Sequence, residues 1–156
     1  MEKLLIFSQS VTGHYLEYLH HFYCEEAKHP DKQIVIIAPR LFEERRFLLE
    51  WPEANNITFD LQPDSELSYK GHWLANSFRF NLVLRRCIKK HQPDHVFVLA
   101  FMLLMPFLPF LVPHDTKVSG ILYELYIYRW RKLSFLRRYY KVLQHWLDVC
   151  FNILYI

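Results

Sequence analysis

One glycine and one histidine stand side by side in this chain where chemistry could be done. The stretch Ser8-Gln9-Ser10-Val11-Thr12-Gly13-His14 follows a short apolar run and precedes a helical pattern. It therefore reads as the turn from a buried strand into a helix. An imidazole near its ordinary pKa can take a proton from a substrate hydroxyl, which makes His14 the candidate catalytic base. Ser10, Thr12, Gly13 and Glu17 are the candidate substrate contacts around it. The plain alternative is that His14 caps or packs the helix end. The usual phosphate patterns are missing, because there is no G-x-G-x-x-G and no G-K-[ST] follows the turn. With three glycines in the whole chain, a backbone cradle for a pyrophosphate here could draw only on Gly13.

Two further groups carry chemistry. Gly120-Ile121-Leu122-Tyr123-Glu124-Leu125-Tyr126 follows an expected strand. Tyr123 and Glu124 there are candidate substrate contacts by stacking and hydrogen bonding, or else an aromatic strand end. Arg129, Arg131, Lys132, Arg137, Arg138 and Lys141 place six cations within thirteen residues that hold no acid. Interleaved with aromatics on an amphipathic pattern, they suit an anionic membrane surface or a phosphate-bearing acceptor. A solvated helix face is the simpler account, and no recognised nucleic-acid module accompanies the run. The nine histidines make no clear metal pattern: His20 and His21 are adjacent, His91 and His95 are four apart but separated by Pro93, and no Cys-x-x-Cys occurs. No metal is expected.

These residues need elements to hold them. Leu4–Phe7, Gln33–Ala38, Val96–Leu99, Lys117–Leu122 and Val149–Ile156 are apolar runs too short for helices, and each reads as a buried strand. Ile57–Leu61 alternates apolar and polar, as a half-buried or edge strand does. Helical spacing marks His14–Lys28, Arg40–Trp51, about Tyr69–His91 and about Tyr128–Leu147. Gln62–Ser68 reads as a polar loop. Strand and helix thus alternate almost throughout, which predicts an α/β Rossmann-like three-layer sandwich with a mostly parallel six-stranded sheet. In such a sheet the Gly13-His14 turn lies at the carboxyl edge, where ligands bind.

Composition sets the limits. A chain of 156 residues with 52% hydrophobic and 17% aromatic residues can fill one core and excludes a disordered chain. Cys24, Cys87 and Cys150 are odd in number and far apart, which suits a reducing cytoplasm rather than a disulfide framework. Met1-Glu2-Lys3 leads straight into a strand, so no secretory leader is expected. Val96 to Pro113 is uncharged for 18 residues, close to the roughly 20 of a membrane span. Pro106, Pro109 and Pro113 interrupt it, at about 3 kcal/mol for each helix-interior proline. A strand followed by a proline-broken apolar loop or short helix is expected there. The chain stops inside an apolar run, which predicts a further domain beyond Ile156.

Thr12-Gly13-His14-Tyr15-Leu16-Glu17-Tyr18 after a first strand resembles the N-terminal domain of glycosyltransferases of the two-Rossmann (GT-B) architecture, family-4-like or related. A Gly-His pair opens the first helix in several such families. In some that histidine is the base for the acceptor hydroxyl, and in others the same loop touches the donor diphosphate or the acceptor. The chain departs from the family by carrying Glu17 where a proline is common and by lacking a double glycine. The resemblance implies that residues 1–156 form one acceptor-side domain. A C-terminal partner domain would hold the nucleotide-sugar donor, with no cofactor bound by this half alone. The implied acceptor is a carbohydrate or a lipid-linked hydroxyl, and the implied location is cytoplasmic or peripheral on the inner membrane face. The runner-up is a non-catalytic Rossmann-like module that docks a partner chain or a membrane through its basic helix. A flavodoxin or receiver type would need an acidic cluster after the first strand, and none is there.

Overall fold

The structure, a computed structural model, describes residues 2–113 and 115–121. Within them the elements run β1 (Lys3–Phe7), α1 (His14–Glu26), β2 (Gln33–Pro39), α2 (Leu41–Arg45), β3 (Ile57–Gln62), α3 (Asp64–Leu67), α4 (Trp73–His91), β4 (His95–Val98), α5 (Leu108–Leu111) and β5 (Lys117–Gly120). The strands form one parallel sheet of order β3-β2-β1-β4-β5. The fold class is α/β with a parallel sheet of five strands among the described residues. The expected sixth strand, Val149–Ile156, and the helix expected at Tyr128–Leu147 lie outside those residues.

The two-residue alternation of a strand sorts the core into two layers. Leu5 and Phe7 of β1, Val35 and Ile37 of β2 and Val96 and Val98 of β4 meet Phe80, Leu84 and Cys87 of α4 and Leu108 of α5. On the other face Ile6, Ile34 and Ile36 meet Leu16, Leu19 and Tyr23 of α1 and Phe42 of α2. Both faces of β1 are covered, and Leu5, Ile6 and Phe7 have no exposed surface. That is why this strand reads as an unbroken apolar run. Each such side chain contributes about 1.5–3 kcal/mol on burial. At the sheet's edge β3 has Ile57 and Gln62 buried, Thr58 exposed and residues 59–61 half-buried.

Three expectations are corrected by packing. The helix expected over Arg40–Trp51 ends at Arg45 and tightens into a 3-10 turn at Arg46–Leu48. The Trp51 indole N–H donates to the Arg46 carbonyl at 2.6 Å, the oxygen that a continuing helix would offer to the Glu50 amide. The Trp51 ring meets Tyr23 and Phe42 edge-on, leaving Phe47 and Leu48 exposed. The helix expected from Tyr69 starts at Trp73, because Gly71 sits at φ +71° and His72 caps the Leu74 amide through Nδ1. The polar loop at Gln62–Ser68 contains α3, with Gln62 buried as the last residue of β3.

Among the described residues no helix is long and apolar enough to cross a membrane. The uncharged Val96–Pro113 stretch is β4, a 3-10 turn at Phe101–Leu103 and the short α5, with Pro109 in its first turn. Strand β4 is tied to β1 at its start: the Lys3 amide donates to Asp94 Oδ2 at 2.8 Å, and the Asp94 amide donates to the Lys3 carbonyl at 2.9 Å.

Candidate functional site

The strand order places a topological switch between β1 and β4. From β1 the chain steps outward through β2 to β3, then returns across the sheet through α4 to β4 and β5. The loops leaving β1 and β4 therefore diverge to opposite faces, the arrangement that in open α/β sheets sets the ligand crevice at the carboxyl edge.

The loop after β1 is built from short polar side chains that bond to its own backbone. The Ser8 amide extends the ladder to the Ile37 carbonyl at 2.9 Å, and the Ser8 hydroxyl donates to the Ser10 carbonyl at 2.6 Å. Ser10 Oγ accepts from the Thr12 amide at 3.3 Å and shares a hydrogen bond with Thr12 Oγ1 at 2.9 Å. Val11, 1% exposed, pins the loop to the core. Gly13 then takes φ +57° and ψ −140°, a backbone conformation nearly closed to residues with a Cβ. The tight turn expected of Gly13 is there.

His14 is the first residue of α1 and is exposed. Its ring lies 5.5 Å from that of Tyr15 and 6.0 Å, edge-on, from that of Tyr18. No side chain caps α1 by a hydrogen bond, and Glu17 places a carboxylate in its first turn. That carboxylate offsets the positive end of the helix dipole. The structure thus gathers Ser10, Thr12, Gly13, His14 and Glu17 into one loop and one helical turn.

The other wall comes from β4 and β5. The Leu99 amide donates to the Phe7 carbonyl at 3.0 Å, and the Ile121 amide to the Val98 carbonyl at 3.0 Å. At Gly120 an added Cβ would collide with the Val98 carbonyl oxygen and lie 2.8 Å from the Phe101 ring. The residue must be glycine for the turn after β4 to close over it. Gly120 ends β5, on the same edge as His14. Tyr123 and Glu124 lie outside the described residues, as do Arg129, Arg131, Lys132, Arg137, Arg138 and Lys141.

Two residues of this edge were not singled out by sequence. Gln9, 3% exposed, donates from Nε2 to the Ala100 carbonyl at 3.2 Å and bridges the two loops, while its Oε1 is buried without a hydrogen-bond partner. Nothing distinguishes Gln9 from the other polar residues of its loop in sequence. Tyr69 packs edge-on against Phe80 at 5.7 Å, with over half of its surface exposed. Its hydroxyl is pushed up to about 12, first by desolvation and then by Tyr15, so it stays a donor at neutral pH. Among the described residues no three His, Cys, Asp or Glu side chains come together as metal ligands would.

Compared with family models, curated proteins and solved structures, the chain gives no match.

Proposed function

We propose that residues 1–156 are the N-terminal, acceptor-side domain of a two-domain GT-B sugar transferase. The single observation that carries this is the exposed His14 at the start of α1, behind a glycine in a glycine-only conformation, at the β1/β4 switch. The acceptor hydroxyl would attack the anomeric carbon of a nucleotide sugar, the nucleoside diphosphate would leave, and His14 would receive the hydroxyl proton. Ser10 and Thr12 supply hydroxyls for the acceptor, with Glu17 one helical turn further on and Tyr123 and Glu124 as further contacts. The donor belongs to a C-terminal domain, which agrees with the acidic first turn of α1. A carbohydrate or lipid-linked acceptor, a cytoplasmic setting and peripheral attachment through the basic run complete the proposal.

The test uses the protein that the full gene encodes, incubated with UDP- and GDP-sugars. Hydrolysis or transfer that falls at least about a hundredfold in His14→Ala, with unchanged melting temperature, supports it. Turnover indifferent to His14→Ala removes the histidine from the chemistry. No turnover with any nucleotide sugar removes the transferase.

A second reading, a module that docks on an anionic membrane surface, has its own observation on α4. One flank of that helix has its cations engaged: Arg86 with Glu66, and Lys90 and His91 with Asp60. The adjoining flank exposes Phe78, Leu82, Arg85 and Lys89. Cosedimentation with phosphatidylglycerol vesicles, lost in Arg85→Glu/Lys89→Glu, would favour the module. Equal recovery of both proteins in the supernatant would remove it.

A further inference from the structure

At the amino edge of the sheet, opposite the switch, a cleft of about 360 Å³ opens between the end of α1 and the β2–β3 connection. Its size lies at the lower end of small-ligand sites, about 300–1,000 Å³. Ala27, Gln33, Glu53, Asn55, Asn56 and Thr58 line it. The chemistry of that lining is one-sided. Asn56 spends both amide hydrogens on main-chain oxygens, Glu26 and His29, each at 3.0 Å, so only its Oδ1 is left, as an acceptor. The Thr58 hydroxyl gives its hydrogen to the Ile34 carbonyl at 3.3 Å and likewise keeps only lone pairs. Glu53, exposed at the rim, brings a carboxylate, which only accepts when ionised. The amides of Gln33 and Asn55 can turn either end toward a ligand.

The electrostatics point the same way. Helix α1 directs its carboxyl end at the cleft through Ala27, the negative pole of its dipole. Its last turn holds no basic residue and closes on Glu25-Glu26. Those two glutamates are paired with Lys28 at 2.7 Å and Lys32 at 3.4 Å, so the pairs bring no net charge of either sign, and the helix dipole and Glu53 are what remain. The cleft is rich in acceptors and poor in donors, and no cation lines it among the described residues. We propose that it binds a small organic cation, whose ammonium or guanidinium group donates to Glu53, Asn56 Oδ1 and Thr58 Oγ1. The site is independent of the transferase chemistry, since it opens on the other edge of the sheet.

The experiment is a titration of the ¹⁵N-labelled full chain with putrescine, followed by amide shifts, against sodium chloride and D-glucose as controls. Saturating shifts confined to Ala27, Gln33, Asn55 and Thr58 are expected. Glu53→Gln should weaken binding about tenfold, the loss of one charge-assisted hydrogen bond. Because Glu53 is exposed, this variant keeps its fold, and an unchanged spectrum away from the cleft verifies that. Asn55→Ala should weaken binding less. Shifts that sodium chloride reproduces, that fail to saturate, or that Glu53→Gln leaves intact would overturn the assignment. So would saturable binding of glucose in the cleft without binding of putrescine.

Discussion

The carboxamide of Gln9 donates to the main-chain oxygen of Ala100 across 91 residues of sequence, and this one bond ties the loop after β1 to the turn after β4. Both ends are buried, so neither water nor another side chain stands ready to replace it. The two walls of the candidate site are therefore held at a fixed separation from within.

Removing that bond should be felt in stability. Gln9→Leu leaves the Ala100 carbonyl without its donor and should cost about 1–3 kcal/mol. Gln9→Glu should cost more at pH 7 than at pH 4, because an ionised carboxylate cannot donate and is buried against a carbonyl oxygen. Urea midpoints at the two pH values check this, and a penalty for Gln9→Glu that does not change with pH would contradict it.

Two glycines should fail for different reasons. Gly13→Ala has open space around the new methyl group, so its cost is torsional, about 1–3 kcal/mol for a left-handed backbone. At about 2–4 °C per kcal/mol, calorimetry would see a drop of several degrees. Gly120→Ala drives the methyl group into the Val98 carbonyl and the Phe101 ring, and should lower the melting temperature further. Phe101→Ala should relieve only part of that loss, since the carbonyl contact remains.

Acid should loosen the edge strand. Desolvation raises the Asp60 carboxyl, but hydrogen bonds from Lys90 at 2.8 Å and His91 at 2.7 Å outweigh it, and the net pKa lies below the ordinary 3.8. A depressed native value means that this stabilisation is complete above the unfolded pKa and is lost as pH falls through the native one. The Gln62 amide also bonds Asp60, at 3.0 Å, and Arg86 joins Gln62 to Glu66. Asp60→Asn should cost about 1 kcal/mol at pH 7, because Lys90 is largely in solvent. The gap should close below about pH 4. Parallel stability curves for the two proteins across that range would refute it.

Cysteine labelling offers a fourth check. Burial pushes the Cys87 thiol up to about 12, so its reactive thiolate is scarce at pH 7.5. Peptide mapping after iodoacetamide should find Cys87 unmodified in the native protein and modified in urea, while the half-buried Cys24 reacts sooner. Equal labelling of the two under native conditions would contradict the packing of α4.

The strands were legible because each is a short apolar or alternating run with polar or proline punctuation, and β3 announced its edge position by alternating. Gly13 and His14 were legible as a turn and a helix start for the same reason. What escaped depends on distant partners. The break after Arg45 follows from an indole N–H competing for the Arg46 carbonyl, and no periodicity within Arg40–Trp51 records that competition. Helix α3 is four residues long, too short to show a period. Gln9 acquires its place only when Ala100 arrives beside it. Alternating strands and helices give adjacency along the chain but not the order β3-β2-β1-β4-β5, and that order decides where the crevice lies.

The same order bears on how the chain is made. Strand β1 leaves the ribosome before the other described strands and ends up with a neighbour on each side, yet β2 begins at Gln33 and β4 only at His95. Until residue 94 or so has emerged, the half of the sheet already made presents the β4-facing rim of Lys3–Phe7 as an open template of unpaired amides and carbonyls. A nascent chain paused there is at its most exposed to pairing with a neighbour. Lys3 and Asp94, bonded twice, are the clasp whose closing ends that exposure.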